Sequence, residues 1–462
     1  MNMKTKYFIL PLLMVAFSCN DILEIDPKAQ IPSDAALSNG SNVEATLISA
    51  YSELVSDNFL GFRTRFYSEL LSDNIGLNEV TLSSTDFTGQ VALRNSNILN
   101  KDIDGVWSAA YRSISRANAV INAIERNLIT DATTDANKQK WKAESLFVRG
   151  VAHFELMRLF AQPFSNSPTT DLGIPIRIKD LTADEKLPRS TVSQVYDQVI
   201  LDLTNAAESL PDQNGNRADK WAAKAFLARV YFNKLDYQNA FITAGEIIAK
   251  GFPLTGNPNT PFRNNGNVTP TGGVLFQIVS GGNSFGGFRP ASLQWSLSQA
   301  PNGLLQALFD RGVNDFRSTV FFSSSNRYFS LKWDEDVINP PIIRMSEIYL
   351  IHAESAASKP TPDLSAAASS FGVVRGFSDS SFTPVTFSDV TVALATIQAE
   401  RRVELYFEGD RFHELRRLKS PLFGEVRSGA NIIREAKPFN DASWLLKIPV
   451  SETSGNPAIV QN

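Results

Sequence analysis

The chain has 462 residues, 43% of them hydrophobic and 10% aromatic, which suits a soluble globular protein with a sizeable core in one large domain or two or three smaller ones. Its 44 basic and 48 acidic residues leave a net charge of −4, which argues against a nucleic-acid partner, since that would want a basic face. The single cysteine, Cys19, excludes an internal disulfide.

The N-terminus reads as a targeting segment. Lys4 and Lys6 form a charged region, and Phe8–Phe17 is an apolar run of signal-peptide length, too short to span a bilayer. It ends in Ala16-Phe17-Ser18-Cys19, a small residue before a cysteine. Residues 1–18 are therefore expected to be a signal peptide, and Cys19 the lipidation site that anchors the protein to a membrane without a spanning helix. Loss of Lys4 and Lys6 leaves 42 basic residues against 48 acidic, or −6. Asp21, Glu24 and Asp26 resemble the acidic export signals of surface lipoproteins. Residues 19–40 read as a tether.

A helix is predicted from about Asn42 to Val55, and Tyr67–Asp73 starts another element. Residues 74–100, rich in Ser, Thr, Asn and Gly, read as a long loop of the kind that often carries function. Residues 107–250 are predicted to be mainly helical. Trp107–Arg126 is one helix, and Trp141–Phe160 the next, with Phe147, Gly150, Val151 and Phe154 on one face. After a proline-rich crossing over 163–189 come Thr191–Leu210 and Trp221–Leu235. The stretch AFLARVYFNKLDYQNAF is similar to a tetratricopeptide unit, which must stack on neighbours to bury its faces. Residues 251–341 turn irregular, with strands predicted at Val274–Val279 and Tyr328–Trp333. Residues 360–388 read as a second irregular stretch, and helices return at 342–357 and 390–418.

Several patterns imitate chemistry without its context. Gly282-Asn283-Ser284-Phe285-Gly286 matches G-x-S-x-G, yet Gly287-Phe288-Arg289-Pro290 cannot open the helix a nucleophile elbow needs. Asn100, Asp102, Asp104 and Gly105 imitate half of a calcium loop, but its twelfth position is Tyr111 rather than Glu, and acids there suit a helix N-terminus. His153, His352 and His413 lie far apart with no metal-ligand spacing, so no metal or cofactor is expected.

The densest stretch is Glu400–Leu418, ERRVELYFEGDRFHELRRL. Val403, Tyr406 and Phe407 share one face with Ala399, while Glu400, Arg401, Arg402, Glu404 and Glu408 fill the others. Gly409 reads as a helix-ending glycine and Asp410 as an N-cap for a second helix bearing Phe412, Leu415 and Leu418. Charge this dense beside an apolar seam predicts a solvated face or internal ion pairs rather than catalysis. This stretch resembles the C-terminal signature of the SusD/RagB family. Trp107–Glu125 is similar to that family's first long helix, Pro341–Ser355 to its Arg/Glu/Tyr helix, and Lys447–Asn462 to its terminal tail, all in the family's order.

The resemblance implies a mostly α, SusD-like fold over residues 41–462: a tetratricopeptide-like scaffold at about 42–250 and 342–418, with irregular insertions at about 74–100, 251–341 and 360–388 that contain short strands. It implies a non-catalytic lipoprotein at the outer membrane that binds oligosaccharide nutrients on the cell surface and delivers them to a SusC-like TonB-dependent transporter. Peptide binding in the RagB manner is the alternative, and a surface hydrolase using Ser284 or a carboxylate pair the less favoured one. The family draws its ligand contacts from the loop before the first long helix and from segments before the Arg/Glu/Tyr helix, here about 73–97 and 280–333. A sugar's C–H face lies on an aromatic ring while its hydroxyls seek polar side chains. The candidates are Asp73, Asn74, Phe87, Arg94, Phe288, Arg289 and Trp295. Trp107, Trp141 and Trp221 are expected in the core, and Lys332-Trp333 reads as a structural step.

Overall fold

The computed structural model describes residues 33–78, 86–179, 185–279, 295–422, 425–428, 431–432 and 436–462. About half of the chain is helical. The helices Gly40–Leu54, Lys101–Glu125, Asp135–Phe160, Val192–Ser209, Lys220–Asn233 and Tyr237–Lys250 each pack on the next in chain order, and Met345–Ser358 continues the stack against the last of these. The starts are set by short polar caps. Asn39, Asn100, Thr134, Asp219 and Asp236 each accept from backbone N–H groups of the first turn, and Thr191 with Gln194 forms a reciprocal capping box. Gly150 lets two helices approach closely, since a Cβ there would lie 3.1 Å from the Leu203 side chain.

Helix ends are where prediction and structure differ most. The long helix begins at Lys101, six residues before Trp107, because Asn100 caps it and Asp102 and Asp104 sit in its first turn, where acids suit the dipole. Residues 74–100 are not one loop: they contain the strand Ile75–Asn78 and the helix Phe87–Ala92, capped by Asp86. Residues 360–388 include the helix Leu364–Ser378. Its Ala, Ser and Gly content hides a buried stripe of Ala367, Phe371 and Val374, packed with Leu350, Ala353 and Ile397 in a satellite core. Pro341–Arg344 is a strand that pairs antiparallel with Val274–Gln277, so the following helix starts at Met345.

A small sheet brings remote segments together. Ile75–Asn78 lies between Ser296–Leu297, which is antiparallel to it, and Glu425–Ser428, which is parallel; Asn431–Ile432 adds to the outer edge. The hairpin of Phe321–Ser324 and Arg327–Ser330 packs beside Ser296–Leu297. The main core runs from Leu37 to Ile459 and includes Trp107, Trp141, Trp333 and Trp444, with Trp221 packed at its margin. The C-terminal tail folds back on the Asp135–Phe160 helix, where Leu446 donates to the Leu159 carbonyl and Asn462 to that of Phe160.

Candidate ligand-binding site

The charged stretch Glu400–Arg417 is internal. The helix Val390–Glu404 ends before Tyr406, and Phe407 and Gly409 take positive φ angles of 59° and 82°. Asp410 stands at the start of the Arg411–Arg417 helix but makes no side-chain cap; its carboxylate accepts instead from Arg401 at 2.8 and 2.5 Å. Glu404 pairs with Arg344 at 2.6 Å and Arg317 at 2.7 Å, and Arg317 also holds Asp315 and Glu400. Burial pushes the Glu404 carboxyl up, but these two guanidinium groups and Lys332 outweigh it and bring it down to about 2. Lys332 donates to the Glu404 and Tyr406 carbonyls and to Glu408, while burial depresses its own pKa to about 8. Next to it, Trp333 is buried and donates to the Phe407 carbonyl.

This network reaches the sheet through two arginines. Arg411 donates to the Asp73 carboxylate at 2.8 and 3.0 Å, and Arg402 to the Asn74 side-chain carbonyl at 3.2 Å and the Asn302 backbone at 2.8 Å. Glu69 accepts from the Gly409 N–H at 2.8 Å and the Asn74 amide at 3.2 Å; burial raises its carboxyl to about 7. Asp73 and Asn74 immediately precede Ile75, whose strand pairs with Leu297. Both were expected among the ligand contacts. Asn74 is fully buried, and both side chains are engaged in holding the strand in place.

Trp295 enters the sheet just before Ser296 and packs on Phe66, with ring centroids 4.3 Å apart and planes 35° apart. Phe66 in turn stacks on Phe62 at 4.5 Å and 20°. Phe62 and Phe66 are four residues apart at the start of the Arg63–Leu71 helix, so they share a face. The outer two rings, Phe62 and Trp295, are half-buried; Phe66 between them is buried. The i, i+4 aromatic pair was the available signal for Phe62 and Phe66, which sequence reasoning passed over.

The other expected contacts scatter. Arg94 is buried with its guanidinium 3.5 Å over the Trp444 ring, so it supports the core rather than a surface. Phe87 is half-buried at the start of its short helix, and its carbonyl accepts from Asn100. Phe288, Arg289 and the G-x-S-x-G segment with Ser284 lie outside the described residues, as does Cys19. Asp102 pairs with Arg63, and Asp104 accepts from Ser451. His153 and His413 are buried, and His352 stacks on Phe241 while bonding Ser370. Among the described residues no helix is long and apolar enough to cross a membrane.

Comparison with known proteins bears on this arrangement. A family model described as starch-binding and associating with the outer membrane matches residues 21–232, and a second, described as the SusD family, matches residues 332–462. The chain belongs to the SusD/RagB family. Among curated relatives, SusD-like protein P2 of Formosa agariphila is 25% identical over 99% of both chains. SusD-like protein P25 of the same organism is 25% identical over 254 residues, 53% of this chain and 46% of its own length, so the chain spans under half of that relative. A SusD superfamily structure from Bacteroides vulgatus aligns with a TM-score of 0.81 at 21% identity over 92% of this chain and 98% of its own, and one from Bacteroides thetaiotaomicron with 0.79 at 24% over 91% and 99%. SusD family proteins are in general cell-surface, outer-membrane-associated binding proteins for glycans and other nutrients.

Proposed function

We propose that this SusD-family protein captures an oligosaccharide at the cell surface and passes it to a SusC-like TonB-dependent transporter, held at the outer membrane by lipid on Cys19. The observation that carries the reading is the Phe62–Phe66–Trp295 stack. Trp295 comes from one of the two chain regions in which the family carries ligand contacts, Phe62 and Phe66 lie shortly before the other, and the pairing of Ile75–Asn78 with Ser296–Leu297 joins the two segments. A ring edge or face at Trp295 strips water from one apolar face of a sugar without engaging the hydroxyls, which gives binding modest enough to release its cargo. No catalytic step is assigned. The outer-membrane description of the matching family model agrees with the location.

The test is calorimetric titration of residues 20–462 against a panel of oligosaccharides and peptides, with Trp295→Ala alongside. The expected result is saccharide binding weakened tenfold or more in the variant, as removal of an aromatic contact worth about 1.5 kcal/mol implies. Binding of peptides alone replaces the saccharide reading with the RagB-like one. Turnover of a glycan or ester that Ser284→Ala abolishes removes the binding-only reading.

A further inference from the structure

Arg327 opens the second strand of the hairpin that packs beside Ser296–Leu297. Its Nε and Nη2 lie 3.4 and 3.3 Å from the Ser296 Oγ, and its guanidinium carbon 5.3 Å from the Phe329 ring centroid. That hydroxyl already donates to the Gly76 carbonyl at 2.8 Å, and one hydroxyl leaves most of the five guanidinium N–H groups unused. The side chain is half-buried, and among the described residues no carboxylate lies within ion-pair distance of it. Its surroundings make this unusual. Arg263, Arg311, Arg317, Arg375 and Arg402 each have an acidic partner. Arg189 and Arg416 lack one, and backbone carbonyls take up their donors. Among the described residues Arg327 has neither, and burial pulls its pKa down. A partly desolvated guanidinium without a counter-charge keeps N–H donors available to an oxyanion brought by a ligand. It also stands beside the segment that follows Trp295. Its contact, Ser296, is the residue after Trp295, with Cα atoms about 3.8 Å apart along the backbone.

We infer that the saccharide bound here is anionic, and that Arg327 receives an oxyanion, a uronate carboxylate or a sulfate ester, from a sugar unit next to the one resting on Trp295. This deepens the saccharide reading and rests on it. A planar fork suits either oxyanion through two parallel N–H···O bonds, whereas a neutral hydroxyl uses it poorly. The net charge of −4 makes indiscriminate attraction of polyanions improbable on electrostatic grounds, so a preference for acidic sugars must come from a local group.

The experiment is an array of neutral, uronate-bearing and sulfated oligosaccharides probed with residues 20–462, followed by titration of the bound sugars against their methyl-esterified or desulfated forms. Wild type is expected to bind the charged form at least tenfold more tightly, with affinity falling as salt rises. Arg327→Gln should bring the ratio of charged-form to neutral-form affinity down toward one, and Arg327→Lys should restore part of it. Trp295→Ala should weaken both forms together. The uronate and sulfate arms identify which oxyanion is read. Equal binding of charged and neutral forms, or an unaltered preference in Arg327→Gln, overturns the anionic inference and leaves the saccharide reading standing. Binding of no sugar of any class overturns both. Melting temperatures equal to wild type establish that each variant is folded.

Discussion

Single residues in this protein act mainly through where they hold the backbone. Gly409 is the clearest case. Its φ of 82° and the 2.8 Å that would separate a Cβ from the Arg65 Cα leave no room for a side chain. Gly409→Ala should therefore cost about 3 kcal/mol or more, combining left-handed strain with a backbone clash. A urea midpoint within error of wild type would show that the turn relaxes. Glu69, which the same turn's N–H contacts, couples this region to pH. Burial raises its folded pKa to about 7, against 4.5 for the free side chain, with Asp410 adding and Lys332 opposing. A carboxyl shifted upward stabilises the fold fully below about pH 4.5 and loses that contribution as pH rises through about 7. Glu69→Gln keeps an acceptor for Gly409 without the charge. Between pH 5 and pH 8 wild type should lose stability relative to this variant, by about 1.4 kcal/mol for each unit of pKa difference. Urea unfolding of both proteins at the two pH values measures it, and parallel curves would refute the assignment.

At the scale of elements, the charged stretch works as a joint. Arg317, Arg344 and Lys332 from the irregular region converge on Glu404 and Glu408 at the end of the Val390–Glu404 helix, and Arg402 and Arg411 reach from the same turn to the strand that meets Trp295's segment. Breaking a buried pair leaves an uncompensated charge, so Glu404→Gln should destabilise by about 3–5 kcal/mol. Asp73→Asn is milder, since Asp73 is only partly enclosed. It loosens the sheet entry that supports Trp295 and should weaken ligand binding more than it lowers the melting temperature. Titration and calorimetric melting of the same preparation separate the two effects, and unchanged affinity would detach the clamp from the site.

For the whole molecule, the helices stack in chain order from Gly40 to Lys250 and on through Met345–Ser358, and segments remote in sequence meet in the small sheet. Location is a property of the entire chain. If lipid on Cys19 is the anchor, Cys19→Ala expressed in a Bacteroidetes host should move the protein from the membrane to the soluble fraction with its fold intact, because a single acylated residue then carries all the membrane affinity. Retention in the membrane fraction would point to another attachment.

The sequence by itself determined the helical scaffold, since a 3.6-residue apolar period and a polar cap are local signals, legible in Thr191–Leu210 or Trp141–Phe160 without reference to the rest of the chain. Motif order in Glu400–Leu418 and its companions likewise pointed to the family. The internal fate of that stretch's charges was legible only as one of two alternatives, because a helix face crowded with Glu and Arg looks the same whether water or other ions complete it. Only the tertiary structure decided the surroundings of the candidate residues. Four-residue strands such as Ile75–Asn78 carry no periodic signal, and their partners lie hundreds of residues away. Folding therefore turned Asp73 and Asn74 inward as braces, set Arg94 against Trp444, and joined Phe62 and Phe66 to Trp295. A side chain's role as ligand contact or support depends on which charges and rings reach it through space, and that is a long-range property of the packed chain.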